Sequence, residues 1–265
     1  MFSIMKKALL LVTALLVVLS CGGQRQLSRA SSQRTLTLLT YNVGVFSKFE
    51  DNSTAGVAGL IRESGATLVA LNELDSCNRR HGTYQLQDLA TALGGWSYHY
   101  ASAFPFAGGA YGNGVVSAQP IQKGYRVALP KADGAEQRSV AVAETADCVF
   151  ASLHLDHKSQ AAALLQMRVV NEWFTEHYSG SPKPVFLCGD FNAVPESEVI
   201  AAAGTCWTQL SGAGYTHSTS NPRHCIDYIF AFKSAVPVKV QSYEVITSNS
   251  ASLSDHFPVR VTVTW

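Results

Sequence analysis

The sequence predicts a layered α/β domain, and three observations predict it. Short runs rich in Val, Ile, Thr and aromatic residues alternate with stretches of helical periodicity. The middle of the chain is strand-rich rather than strictly alternating, which argues for packed layers over a simple doubly wound sheet. With 265 residues, 47% hydrophobic and 15% charged, the chain can bury one large core. It contains no internal repeat, heptad run or low-complexity block.

The elements follow in order. Residues 35–43 (TLTLLTYNV) are β-branched and apolar, as a buried strand requires. Ser53 or Thr54 caps a helix that runs to Glu63 and stops at Gly65. Residues 67–74 form a second apolar run. Leu86, Leu89, Ala90 and Leu93 make a helical stripe closed by Gly94 and Gly95. Residues 97–153 read as strands joined by turns at Gly108-Gly109, Gln119-Pro120 and Asp133-Gly134. Residues 159–178 give the longest helix, with Ala162, Leu165, Val169 and Trp173 expected on its buried face. Residues 184–188 are a continuous apolar strand of the kind covered on both sides. A short helix is expected over 196–203, and strands over 225–232, 236–246 and 257–265.

Residues 1–20 stand apart from this pattern. Lys6 and Lys7 precede the apolar run 8–19, the order of a secretory signal, and the run is short for a bilayer span. Ser20-Cys21-Gly22 then resembles a bacterial lipoprotein signal, cleaved before a cysteine that carries the lipid. The alternative is an ordinary signal peptide followed by an incidental cysteine. The expected organisation is therefore a signal peptide at 1–20, lipidated Cys21 with a polar tether to residue 34, and one domain over 35–265. The protein is expected to be exported, monomeric and anchored to a bacterial membrane, facing the periplasm or the exterior.

Without residues 1–20 the chain carries 18 basic and 19 acidic residues, a net charge of −1. Proteins that hold long nucleic acid usually present a basic field, so this balance argues against a high-affinity nucleic-acid binder. Of the five cysteines beyond Cys21, export permits disulfides, and the odd number leaves at least one thiol free. Cys206 and Cys225 bracket a Gly/Ser/Asn/Pro-rich loop and are the preferred bridge. Cys148 and Cys188 lie in apolar runs, where a buried thiol is expected. No CxxC spacing supports zinc.

The chemistry is written where polar residues interrupt the strands. Tyr41-Asn42, Asn72-Glu73, Ser152-Leu153-His154, Gly189-Asp190-Phe191-Asn192, Ile226-Asp227-Tyr228 and Ser254-Asp255-His256 each lie at or just beyond an apolar run. Acids so close to buried strands are costly unless paired or neutralised by a cation. Open α/β sheets place ligands at strand C-terminal edges. Carboxylates converging with amides and two histidines suit Mg²⁺ or Mn²⁺.

In this order the six motifs resemble those of the endonuclease/exonuclease/phosphatase superfamily, over about residues 35–263. The resemblance implies a four-layer α/β/β/α sandwich, with two mixed β-sheets face to face and helices outside. It implies Glu73 as principal metal ligand, Asn42 beside it as ligand or phosphate donor, and Asp255 near the metal. Asp190 and Asn192 would position and activate water. His256, held by Asp227, would contact the phosphate or act as acid/base, with His154 also contacting phosphate. Arg138 resembles an arginine beside the site, and Arg79, Arg80 and Asn113 fall where a substrate groove is lined. Gly44 departs from the abasic-site endonuclease branch, which has an acid there, so a DNA-repair role is disfavoured.

The functional expectation is hydrolysis of a phosphodiester or phosphomonoester by activated water. The substrate would be nucleic acid, a phospholipid headgroup or a phosphorylated small molecule. The competing class is a non-catalytic binding lipoprotein on the same scaffold. Asp156 is read first as an acid favoured by the helix N-terminus near Ser159, with a site role as the alternative, and His81, His99, His177, His217 and His224 as histidines outside the site. Trp96 and Trp173 are read as core.

Overall fold

A computed structural model describes residues 33–265. The expected signal segment, Cys21 and nearly all of the tether lie outside the described residues. Each apolar run forms a strand, and the strands sort into two six-stranded sheets. The first has the order β11-β12-β1-β2-β4-β3, with β1 Thr35–Asn42, β2 Leu68–Ser76, β3 Ser97–Phe106, β4 Gly109–Ser117, β11 Lys239–Val245 and β12 Val259–Thr264. The second has the order β5-β6-β7-β8-β10-β9, with β5 Lys123–Leu129, β6 Arg138–Glu144, β7 Val149–His154, β8 Val185–Asp190, β9 Trp207–Gln209 and β10 Asp227–Phe232.

Each sheet has one parallel pair, β1–β2 and β7–β8, and is otherwise antiparallel. The parallel pairs need crossovers long enough to return the chain. Helix α1 (Thr54–Ser64) supplies one and α3 (Gln160–Tyr178) the other. Helices α2 (Gln85–Ala92) and α4 (Glu198–Cys206) pack beside them.

Three separate cores show the layering. Leu38, Ala70 and Val115 of the first sheet meet Phe150, Phe186 and Ile229 of the second, so the sheets pack face to face. Leu39, Tyr41 and Leu71 point the other way, against Val57 and Ile61 of α1 and Leu86 and Leu89 of α2. Ala151, Leu187 and Phe230 likewise meet Met167 and Phe174 of α3 and Ala203 of α4. The expected α/β/β/α sandwich is what forms.

Two expectations fail. In α3 the buried residues are Ala162, Ala163, Gln166, Met167, Val170, Phe174 and Tyr178, while Leu165 is exposed. Both stripes obey a helical period, so periodicity alone does not choose between them. The Cys206–Cys225 bridge is absent, because both thiols are free. Lys233 N donates to Cys206 O at one end of β10, whereas Cys225 precedes Asp227 at the other. Six strand residues separate those ends by about 20 Å, far beyond disulfide reach. Cys148 and Cys188 are fully buried, as expected. The three-residue strand β9 was not legible, being too short for a periodic signal.

Candidate active site

Strand alternation delivers the polar residues to one edge. In β1, Leu36 and Leu38 face the other sheet while Leu39 and Tyr41 face the helices, so Asn42 faces the other sheet. The same parity carries Phe150 to His154, Phe186 to Asp190, and Ile229 back to Asp227. Register then sets partners side by side: Asn42 with Asn72, His154 with Asp190, and Asp190 with Asp227.

Glu73 reaches the cleft only through a bulge. Leu71 pairs with Gly114 but Leu74 pairs with Gly112, so Asn72 and Glu73 together oppose Asn113. Strict alternation would turn Glu73 towards the helices and Leu74 inwards. The extra residue instead leaves Leu74 with Leu71 in the helix-side core and frees Glu73, whose φ is 59°. A left-handed non-glycine residue costs on the order of 1 kcal/mol, which the surrounding pairing must offset.

Behind the cleft, Asn72 ties the two sheets together. Its Nδ2 donates to Leu153 O at 2.6 Å and Ser152 Oγ at 3.2 Å, and its Oδ1 accepts from Asp190 N at 3.0 Å. Ser152 Oγ returns a bond to Leu71 O at 3.0 Å. Gly189, with φ 141°, lets β8 approach β7 so closely that a Cβ there would collide with the Leu153 carbonyl. Asp190 is therefore fixed by backbone contacts on both sides.

Glu73, Arg138, His154, Asp190, Asn192, Asp255 and His256 all line one cleft of about 350 Å³. Asn42 Nδ2 lies 3.1 Å from both Glu73 Oε1 and Asp190 Oδ2. Its Oδ1 accepts the Gly44 N–H at 3.1 Å, which turns the NH₂ group towards the carboxylates. In this orientation Asn42 donates to the two acids and does not offer its oxygen to a cation.

Asp190 is buried, and its Oδ1 accepts Asn192 N at 2.8 Å. Burial and the Asp227 charge push its carboxyl above the usual carboxylate range, against the pull of His256 and the hydrogen bonds from Asn192 and Asn42. His256 stands 3.7 Å from Asp190 Oδ2 through Nε2 and 2.9 Å from Asp227 Oδ2 through Nδ1. Burial alone would lower the imidazole, but Asp227, then Asp190 and Asp255, raise it to about 10. His256 is thus an imidazolium at neutral pH. Asp227 lies behind it, buried, with its backbone N–H held by Thr216 Oγ1 at 3.2 Å.

His154 Nε2 is 3.4 Å from Asp190 Oδ2, and its Nδ1 has no partner. Burial, and then the Arg138 charge, hold it well below the ordinary histidine value, so it is neutral. Arg138 is buried, bonds His157 Nδ1 at 3.1 Å and Glu136 at 3.3 Å, and keeps an unpartnered Nε. Asn192, at φ 49°, donates Nδ2 to Leu155 O at 3.0 Å.

The donor set fits a hard cation at Glu73. Glu73 and Asp190 share one amide donor, so their oxygens lie at most twice 3.1 Å apart. Mg²⁺ prefers one or two carboxylates with several retained waters. Asp190, Asp227 and His256 also bring ligand-type atoms within 4.8 Å of one another. That trio is already neutralised internally, because an imidazolium has no lone pair to give a metal.

Two expected site residues do not reach the cleft wall. Asn113 is buried between the sheets, donating to Ser139 O at 2.8 Å and accepting from Asn72 at 3.3 Å, so it supports the scaffold. Arg80 forks onto the fully buried Asp75 at 2.7 and 2.8 Å and lies over the Phe106 ring at 4.7 Å. Asp255 does line the cleft, but its Oδ2 lies 2.6 Å from Lys48 Nζ. Asp156 holds the turn ahead of α3, whose cap is Ser159: it accepts from Lys158 N and Ser159 N at 2.9 and 2.8 Å, and from Ala135 N at 2.7 Å.

Several cleft residues escaped the sequence reading. His217 lines the cleft, its ring 4.6 Å from that of His256, because residues 216–217 pair with 256–257. Tyr111, Glu136 and His157 complete the wall. Lys48 reaches Asp255 from the loop after β1. None sits in a strand-end motif, so no local signal marks them.

Comparison with known proteins agrees with this fold. The profile of the Endonuclease/Exonuclease/phosphatase family matches residues 39–256. No curated protein matches the chain. Among solved structures, a Bacteroides thetaiotaomicron protein of the endonuclease/exonuclease/phosphatase family superposes with a TM-score of 0.71 at 20% identity, over 88% of this chain and 98% of that one. A Bacteroides thetaiotaomicron mannosyl-6-phosphatase gives a TM-score of 0.72 at 21% identity, over 87% and 100%. The human Nocturnin catalytic domain, with a bound sulfate anion, gives 0.67 at 17% identity, over 86% and 94%. At these identities the likeness establishes the shared fold.

Proposed function

The chain belongs to the endonuclease/exonuclease/phosphatase family, a family of phosphoesterases, and on that premise we propose that it hydrolyses a phosphate ester with a divalent cation held at Glu73. The observation that carries this reading is the convergence, in one cleft, of Glu73, Asp190, Asn192 and His256 from three separate segments, with Asn42 and Asp227 bonded directly to them. A Mg²⁺ or Mn²⁺ bound there would supply Lewis-acid charge to the phosphate and lower the pKa of water.

The chain's own residues do the rest. Asp190, with its raised carboxyl, accepts a proton from the attacking water, and Asn192 helps to orient that water. The His256 imidazolium stabilises charge that builds on the phosphate oxygens, and Asp227 fixes its tautomer through Nδ1. Arg138 adds a positive charge to the cleft wall, and neutral His154 offers a hydrogen bond without adding charge. Asn42 donates to both carboxylates and holds them at a set separation.

We favour a phosphorylated small molecule over nucleic acid or a phospholipid headgroup. A cleft of about 350 Å³ suits a small ligand. The near-neutral charge balance points the same way.

We also propose export and lipid attachment at Cys21, with residues 1–20 removed. Support comes from Lys6, Lys7, the apolar run and Ser20-Cys21-Gly22. Intact mass of the membrane-extracted protein tests it, and an unmodified mature chain starting elsewhere would end it.

Turnover of p-nitrophenyl phosphate and bis-p-nitrophenyl phosphate with Mg²⁺ or Mn²⁺ tests the enzymatic reading. Activity lost with EDTA and in His256→Ala supports it. Equal null results for wild type and variant across sugar-phosphate, lipid, DNA and RNA panels favour the non-catalytic binding alternative.

A further inference from the structure

We infer that Lys48 is a built-in cation of the cleft: its ammonium fills the place beside Asp255 that a second divalent ion would need, leaving one exchangeable ion at Glu73. This rests on the metal-dependent reading above and adds to it the number of ions and a residue that no motif marks.

Asp255 belongs to the cleft wall, yet its Oδ2 lies 2.6 Å from Lys48 Nζ, with His217 Nε2 farther off at 3.9 Å. A carboxylate oxygen in so short a contact with an ammonium is poorly placed to bind a metal as well. The backbone is bent to bring the lysine there. Gly44, Val45 and Phe46 take φ of 52°, 51° and 54° in succession, and a β-branched residue in that region is strained. The turn is held by Phe46 N to Val43 O at 2.9 Å, Ser53 N to Phe46 O at 2.8 Å and Gln85 Nε2 to Val45 O at 2.6 Å. Gly44 leaves room for the Lys48 stem, since a Cβ at residue 44 would stand 3.2 Å from Lys48 Cβ and 3.5 Å from Cδ. The absence of an acid at residue 44 and the presence of an ammonium at Asp255 thus belong to one device. Strain is spent on aiming a positive charge at Asp255, within the field of Glu73, where it opposes a second ion.

Mn²⁺ binding by the full chain, read by calorimetry and by the paramagnetic signal of free Mn²⁺, tests this without any substrate. Wild type is expected to bind one Mn²⁺. Lys48→Met keeps the stem, frees Asp255 and is expected to bind two, and the added Asp255→Asn change returns it to one. Two ions in wild type, or a single ion in Lys48→Met, overturns the inference. Lys48→Gln is read in the same way if Lys48→Met does not fold. Glu73→Gln separates the two levels. If it binds Mn²⁺ as wild type does, the Glu73 site itself is wrong. If it loses the ion while Lys48→Met gains none, only the role of Lys48 falls.

Discussion

Replacing Asp227 with Asn preserves the shape of the side chain and removes the charge that holds His256 protonated. His256 is 5% exposed, with Nδ1 at 2.9 Å from Asp227 Oδ2. Burial pushes the imidazole down, and Asp227, ahead of Asp190 and Asp255, more than reverses that. The rise from 6.5 to about 10 corresponds to about 5 kcal/mol of preference for the charged ring. Because the folded state holds this proton more tightly than the unfolded chain, the stabilisation is complete below pH 6.5. It is lost as pH climbs through about 10. Asp227 shares the effect with two other acids, so Asp227→Asn should cost roughly 2–3 kcal/mol at pH 6, and less as pH approaches 10. Turnover should drop by about 10²–10³, the usual range for a lost electrostatic donor to the transition state. Urea unfolding at pH 6, 8 and 9.5, NMR titration of the His256 ring and phosphatase kinetics measure the three effects. A wild-type ring titrating near 6.5, or a variant as stable as wild type at pH 6, refutes the reasoning.

Other perturbations probe the scaffold. Gly189→Ala drives a Cβ into the Leu153 carbonyl at φ 141°, so we expect a loss of about 3 kcal/mol or more in chemical denaturation; a variant within about 1 kcal/mol of wild type contradicts the close strand approach. Asn72→Ala strands Asp190 N and the Leu153 carbonyl at the sheet interface and should cost about 2–4 kcal/mol, with kcat falling because Asp190 is no longer pinned. An unchanged kcat would show that Asp190 is positioned some other way. Arg80→Ala leaves the buried Asp75 with only His81 and Asn78 around it and should destabilise by about 2–3 kcal/mol. Its KM at temperatures well below unfolding should stay near wild type, and a KM raised tenfold or more would place Arg80 on the substrate after all.

The sequence by itself determined the layers and most of the site. Strand alternation is a local rule, so the parity that buries Leu38 also aims Asn42 at the opposite sheet, and the parity of Phe186 and Cys188 aims Asp190. Helix ends were legible for the same reason: Gly65 at φ 67° and the Ser159 side chain at Ala162 N act within one turn. Tertiary structure decided what depends on partners distant in the chain. The bulge that exposes Glu73 exists only against β4, and the α3 face that is buried depends on which stripe the sheet accepts. Arg80 and Asn113 lie near the right strands but are consumed by Asp75 and Ser139. Lys48 and His217 enter the cleft on loops whose direction is set by contacts with Asp255 and His256, residues about 200 and 40 positions later. A side chain's face follows from its neighbours in sequence, whereas its hydrogen-bond partner follows from packing, and chemistry needs both.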